Sequence, residues 1–196
     1  LDNAFEIVRL IEKNNIPGAI IECGVAQGGC AAMMALSSRT YGNLEREFWF
    51  FDSYEGLPEP TEEDFKDFKT GGHAGVLVKG SCLGTLEQVS DLLFKNFNLP
   101  KNKINLVKGW FQDTVPIHRE KVGKIAILRL DGDWYESTKI PLDNFYQNIM
   151  TGGCVIIDDY ATCYGSKKAT DEFLKENLIK TNLRSDGRGG AWFVKP

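Results

Sequence analysis

The sequence predicts an α/β protein with a mainly parallel sheet and helices on both faces. Three observations lead there. Short apolar runs of strand length alternate with amphipathic stretches of helix length along the whole chain. Two of the runs, 125–130 and 155–157, stop at carboxylates, Asp131-Gly132-Asp133 and Asp158-Asp159. A glycine turn between Gly24 and Gly29 follows the first run and opens a helix of small residues. Strands that alternate with helices pair in parallel, because each crossover carries the chain back over the sheet.

Each element follows in order. Asp2 is an N-cap for a first helix with an apolar stripe at Phe5, Val8, Leu10 and Ile11, which Asn14-Asn15 and Pro17 end. Residues 18–24 are the first strand and its turn, and Gly28-Gly29 lead into a helix over 30–36. A second strand, 47–51, ends in Asp52. Residues 58–75 are polar, acidic and glycine-bearing, which predicts a mobile excursion with at most one short helix. A helix over 85–96 follows, then a third strand over 104–107 with Gly109 as its turn, and then the 125–130 strand. A helix over 140–150 leads to a Gly152-Gly153 turn, the 155–157 strand and a helix over 167–178. Two short strands, near Leu183 and at 191–194, complete a count of seven.

Composition narrows the function. A chain of 196 residues reads as one domain over 1–196, large enough to bury roughly 70% of its unfolded surface. A net charge of −4 gives no electrostatic reason to expect nucleic acid or an anionic membrane as partner. No apolar run reaches the roughly 18 residues of a membrane helix, and no signal-peptide pattern opens the chain. Cys23, Cys30, Cys82, Cys154 and Cys163 are odd in number and without a CxxC pair, so reduced thiols and a cytoplasmic location are expected.

Carboxylates are almost never fully buried unless paired or bound to metal. If the 125–130 and 155–157 strands are parallel neighbours, Asp131, Asp133, Asp158 and Asp159 converge on one crevice, which predicts a cation site. Oxygen-only ligands suit a hard ion, Mg²⁺ ahead of Ca²⁺ or Mn²⁺. Asp133 lies two residues beyond Asp131, so an extended segment aims both side chains to one face. The loop from Glu22 to Gly29 suits a carboxylate or phosphate at a helix N-terminus, although it lacks the dinucleotide fingerprint spacing, and tight-turn packing would look the same. Asp52, ending the second strand, stands where nucleoside-binding sheets place an acceptor for ribose hydroxyls. With His73 and His118 the only histidines, a His-rich metal centre is excluded; His118 reads as structural, and His73 as a substrate-loop contact or solvated.

Five segments then occur in one order: Glu22-Cys-Gly-Val-x-x-Gly-Gly, Phe51-Asp-Ser-Tyr-Glu-Gly-Leu-Pro58, Gly109-Trp-Phe-Gln-Asp-Thr-Val-Pro116, Leu130-Asp-Gly-Asp-Trp-Tyr-Glu-Ser-Thr138 and Ile157-Asp-Asp-Tyr160. Together they resemble the macrocin O-methyltransferase family, metal-dependent S-adenosylmethionine enzymes that methylate sugar hydroxyls, over about residues 16–175. More distantly the chain is similar to catechol O-methyltransferases. The resemblance implies a Rossmann-like class I methyltransferase fold, S-adenosylmethionine and Mg²⁺ as cofactors, and a sugar or glycoside substrate. It assigns Glu22 and Gly24, with Gly28 in the same loop, to the methionine end, Asp52 with Ser53 to the ribose, and Trp110, Phe111 and Gln112 to adenine. It makes Asp131, Asp158 and Asp159 the metal ligands and Asp133 the general base, with Asp131 catalytic through the ion.

Two departures stand out. Ala26-Gln27 replace the family's usual Trp-Arg, and the family usually has more chain before the first helix, serving as a lid and in subunit contacts. The chain is therefore expected to be a trimmed piece or to close its site differently; a homo-oligomer is among the expectations. Three other readings stay open: a catechol-type methyltransferase, a phosphatase of the haloacid dehalogenase type, and a silent cofactor-binding domain. The second needs its first carboxylate motif near the start of the fold, whereas about two thirds of this chain precedes Asp131.

Overall fold

A computed structural model describes residues 1–42, 45–65 and 77–196. In chain order the elements are α1 (Asp2–Lys13), β1 (Ala19–Cys23), α2 (Gly29–Tyr41), β2 (Phe48–Asp52), a 3₁₀ turn (Glu62–Asp64), and α3 (Leu86–Asp91), which runs into a π turn (Leu92–Asn96). Then come β3 (Ile104–Lys108), α4 (Phe111–Val122), β4 (Ile125–Leu130), α5 (Tyr135–Phe145), β5 (Ile149–Ile157), α6 (Tyr164–Glu176), β6 (Arg184–Ser185) and β7 (Ala191–Val194). They form one seven-stranded sheet in the order β3-β2-β1-β4-β5-β7-β6. The first five strands in that order run parallel; β7 is antiparallel to both β5 and β6.

The central strands are continuous apolar runs because both faces are covered. Ile20, Phe50, Ile127 and Ile156 pack toward α1, α2 and α3. Ile21, Trp49, Leu128 and Val155 pack on the other face, with Val115, Leu142 and Phe173 of α4, α5 and α6. His118 sits beside Trp49 and Phe51 with its Nδ1 2.8 Å from the Thr114 carbonyl oxygen, the structural role its sequence context indicates. One buried ion pair ties the opposite end of the sheet: Arg46 Nε meets Glu12 Oε1 at 2.5 Å, and its Nη atoms donate to the carbonyls of Ile16 and Gly18. Among the described residues no helix is long and apolar enough to cross a membrane.

Several boundaries differ from the sequence-based expectations. α4 was not expected, because Pro116 falls inside it and reads as a break; the residue before proline is disfavoured in helical geometry. α5 starts at Tyr135 instead of residue 140, with Pro141 in its interior. Its first amide, Tyr135 N–H, is capped by Asp64 Oδ1 at 2.6 Å, a partner 71 residues away that no local pattern reveals. Gly152 and Gly153 lie inside β5; the β4–β5 register shifts between Ile125 and Ile127 and Gly152 takes φ 83°, so the glycines absorb a bulge. Within the stretch expected to be an excursion, Glu62–Asp64 forms the short helix; residues 66–75, with His73, lie outside the described residues.

Candidate active site

β1 lies between β2 and β4, so the chain leaves the carboxyl ends of β1 and β4 toward opposite halves of the sheet. This switch point is where open parallel sheets hold ligands. The ladder continues past the strand ends: Asp131 N–H donates to Cys23 O at 2.9 Å, Asp158 N–H to Leu130 O at 2.9 Å and Gly109 N–H to Asp52 O at 2.9 Å. Gly24, at φ 94°, passes so close to β4 that a Cβ would stand 1.9 Å from the Asp131 carbonyl oxygen. Over these ends opens a cavity of about 470 Å³ whose walls include Gly24, Asp52, Ser53, Trp110, Phe111, Gln112, Asp131, Asp133 and Asp159.

The β2 end holds the glycine loop. Asp52 Oδ2 accepts the amides of Val25 at 2.7 Å and Ala26 at 3.1 Å, and Oδ1 accepts that of Tyr54 at 2.7 Å. A carboxylate has about four acceptor sites, so Asp52 retains capacity for a hydroxyl. Ser53 faces the cavity but its hydroxyl serves its own turn, donating to Gly56 O at 2.9 Å and accepting from Glu55 N–H at 3.0 Å. Gly28 caps α2 at φ 83° and sits against Val89 and Leu92, apart from the cavity lining. Trp110 is the N-cap residue of α4, which places Phe111 and Gln112 in its first turn at the cavity wall.

Beneath the cavity four carboxylates do converge, and a residue outside the expected set stands among them. Arg129, 4% exposed, pairs in β4 with Glu22 of β1. Its Nη1 reaches Glu22 Oε1 at 2.6 Å and Asp131 Oδ2 at 2.7 Å, and its Nη2 reaches Asp158 Oδ1 at 2.6 Å. The protein thus supplies one of the cations that its clustered carboxylates require. Glu22 Oε2 is buried, the Cys30 thiol stands beside the carboxylate as a weak donor, and burial lifts the Glu22 carboxyl to about 7 against the pull of Arg129.

Asp131, Asp158 and Asp159 each present a carboxylate oxygen within 4.8 Å of the others. Burial, then Asp133, Asp131 and Asp158, push the Asp159 carboxyl up to about 8, and its Oδ2 is buried without a partner. The donor set is oxygen-only, charge-frustrated and incompletely paired, which fits a hard divalent ion. Asp133 is not in an extended segment: it takes φ 61°, and that left-handed turn, with Gly132 before it, brings its carboxylate to the Cys163 thiol, Sγ to Oδ1 3.5 Å. Asp133 therefore shares the cavity with Asp131 by a turn and not by strand alternation.

Residues 1–195 match the family model described as Macrocin-O-methyltransferase (TylF). The chain belongs to the macrocin O-methyltransferase family. It is 34% identical over 196 residues to demethyldecarbamoylnovobiocin O-methyltransferase of Streptomyces niveus, covering 100% of this chain and 72% of that protein. It is 37% identical over 195 residues to the 8-demethyl-8-(2,3-dimethoxy-alpha-L-rhamnosyl)-tetracenomycin-C 4'-O-methyltransferase of Streptomyces olivaceus, covering 98% and 72%. Among solved structures, the O-methyltransferase NovP superposes with a TM-score of 0.83 at 31% identity, over 99% of this chain and 78% of that one. This macrocin O-methyltransferase family member is thus an S-adenosylmethionine-dependent O-methyltransferase on a Rossmann-like class I fold.

In this family member the strand-end carboxylates were legible from sequence and their organiser was not. Arg129 interrupts the apolar run 125–130, and a charged residue in a fully buried strand is a sign of a paired partner. Asp64 and Trp134 were also missed. Asp64 is 1% exposed and caps both Thr61 and Tyr135, while Trp134 Nε1 donates to Pro58 O at 3.1 Å, so the two fix the cavity wall.

Proposed function

We propose that this enzyme transfers the methyl group of S-adenosylmethionine to a hydroxyl of a sugar or glycosylated small molecule, assisted by Mg²⁺. The observation that carries this is the grouping of Asp131, Asp158 and Asp159, with an unpartnered Asp159 oxygen, at the cavity that Asp131 and Asp159 line together with Asp52 and Asp133. The tetracenomycin relative supports the substrate class, since its name gives a rhamnosyl compound as acceptor.

When bound, S-adenosylmethionine would supply an electrophilic methyl on a sulfonium, and Mg²⁺, which Asp131, Asp158 and Asp159 would hold, would supply charge that lowers the pKa of the acceptor hydroxyl. The chain's own residues do the rest. Glu22 Oε2 is the buried acceptor for the ammonium of the methionine end, and Gly24 lets the backbone approach it. Asp52 takes the ribose hydroxyls with the acceptor capacity its three amide bonds leave. Trp110 and Phe111 flank the adenine and exclude water. Asp133 would take the proton from the acceptor hydroxyl while that oxygen gains the methyl and the methyl's bond to sulfur breaks, releasing S-adenosylhomocysteine, so that no free alkoxide forms at neutral pH.

The test is transfer of radiolabelled methyl groups to a panel of glycosides and catechols with Mg²⁺ or with EDTA. Labelled glycoside with Mg²⁺ only is the expected result. Transfer undiminished by EDTA would remove the ion from the mechanism, and transfer to catechols alone would overturn the substrate class.

A further inference from the structure

We propose that Arg129 is a positioning residue that couples the cofactor end of the site to the cation end. The inference rests on the reading of Asp131, Asp158 and Asp159 as ligands of a divalent ion. Among the described residues Arg129 is the group that joins both ends: one planar guanidinium reaches Glu22 on β1, Asp131 at the end of β4 and Asp158 at the end of β5, all at 2.6–2.7 Å. It lies almost wholly out of water, where a charge-assisted pair is held far more tightly than on a surface. Arg129 Nε has no hydrogen-bond partner, and beyond Arg129 the Glu22 carboxylate, whose Oε2 is buried, has only the weak Cys30 thiol beside it among the described residues.

The fork geometry sets what a ligand at either end does. Arg129 uses Nη1 for Glu22 and Asp131 and Nη2 for Asp158, so its plane cannot tilt toward one carboxylate without lengthening a bond to another. A cofactor ammonium seated on Glu22 Oε2 pins Glu22, and through Nη1 it pins the guanidinium. Asp131 and Asp158 are then fixed with their remaining oxygens turned to the ion. The ordering cost falls on whichever ligand binds first, and the second binds more tightly. Lysine at this position keeps the charge but, as a point donor on a flexible stem, cannot hold three carboxylates in one plane.

The experiment is a binding cycle on the whole chain, with S-adenosylhomocysteine and Mn²⁺ as probes, each titrated calorimetrically with and without the other. In the wild type, S-adenosylhomocysteine is expected to tighten Mn²⁺ binding roughly fivefold or more, with the reciprocal factor the same. In Arg129→Lys both affinities fall and the factor drops to one. A merely structural role would lower the melting temperature and weaken both ligands but leave the factor unchanged. A wild-type factor of one, or an equal factor in Arg129→Lys, overturns the coupling. Failure of the wild type to bind Mn²⁺ overturns the metal reading and this inference with it, whereas binding of both ligands without coupling overturns this inference alone. Should Arg129→Lys lose its circular-dichroism signature of folding, Glu22→Gln takes its place. Its amide NH₂ stands where Oε2 was and cannot accept the ammonium, so Mn²⁺ still binds but the factor drops to one; a retained factor overturns the proposal.

Discussion

Asp131 and Asp133 are two residues apart and chemically far apart. Asp131 is held at 2.7 Å by Arg129 and grouped with Asp158 and Asp159, while Asp133 is turned back by its left-handed backbone against Cys163. Asp131→Asn is therefore expected to lower Mn²⁺ affinity and turnover together, with partial recovery at high Mg²⁺. Asp133→Asn is expected to leave Mn²⁺ and S-adenosylhomocysteine affinity nearly unchanged and to lower kcat by about 10²–10⁴, the share of a general base. Water-proton relaxation by Mn²⁺ and steady-state kinetics separate the two; loss of the ion in both variants would make Asp133 a ligand. Asp52→Ala removes the acceptor for three backbone amides, and S-adenosylhomocysteine binding should weaken by about 1–3 kcal/mol by calorimetry. At this scale the sequence made the carboxylates legible, because an apolar run that stops at an acid is visible in one dimension. Arg129 was not, because its meaning lies in three partners on three strands.

Among the elements, strands were read more surely than helices. Each central strand is a dense apolar run, whereas α4 and α5 depend on prolines tolerated in their interiors and, for α5, on a cap from residue 64. Asp64→Ala should accordingly cost about 1–2 kcal/mol in urea unfolding, the range of a lost helix cap, and a change below about 0.3 kcal/mol would deny Asp64 that role. The Glu12–Arg46 pair tests the other end of the sheet. Both side chains are 1% exposed, and Arg46 also satisfies two backbone carbonyls. Arg46→Met should destabilise by about 3–5 kcal/mol because Glu12 is left charged and buried. Pairing it with Glu12→Met should recover part of that loss; an additive double variant would show that the two do not act as a pair.

For the molecule as a whole, the carboxylate cluster makes stability depend on pH. Glu22 is raised from 4.5 to about 7 and Asp159 from 3.8 to about 8, chiefly by burial, and Asp158 is raised as well. The folded chain then binds more protons than the unfolded one between those limits, so stability falls as pH rises through that window. Thermal melts without ligands should give a lower Tm at pH 8 than at pH 5, and saturating Mg²⁺ with S-adenosylhomocysteine should reduce the slope. A Tm that rises over this range would contradict the burial of these acids in the ligand-free fold.

The cavity wall has an evolutionary consequence. Residues 57–64 are fastened by partners outside the glycine loop and Asp52: Trp134 holds Pro58, the Tyr135 amide holds Asp64, Lys168 holds Glu63, and Leu57 exchanges backbone hydrogen bonds with Gly80 and Ser81. Substitutions at Leu57, Glu59 or Thr61 change the cavity lining at positions apart from Gly24, Asp52 and the strand-end carboxylates. A lineage with this architecture can vary that lining while its strand-end residues stay fixed, one surface segment at a time.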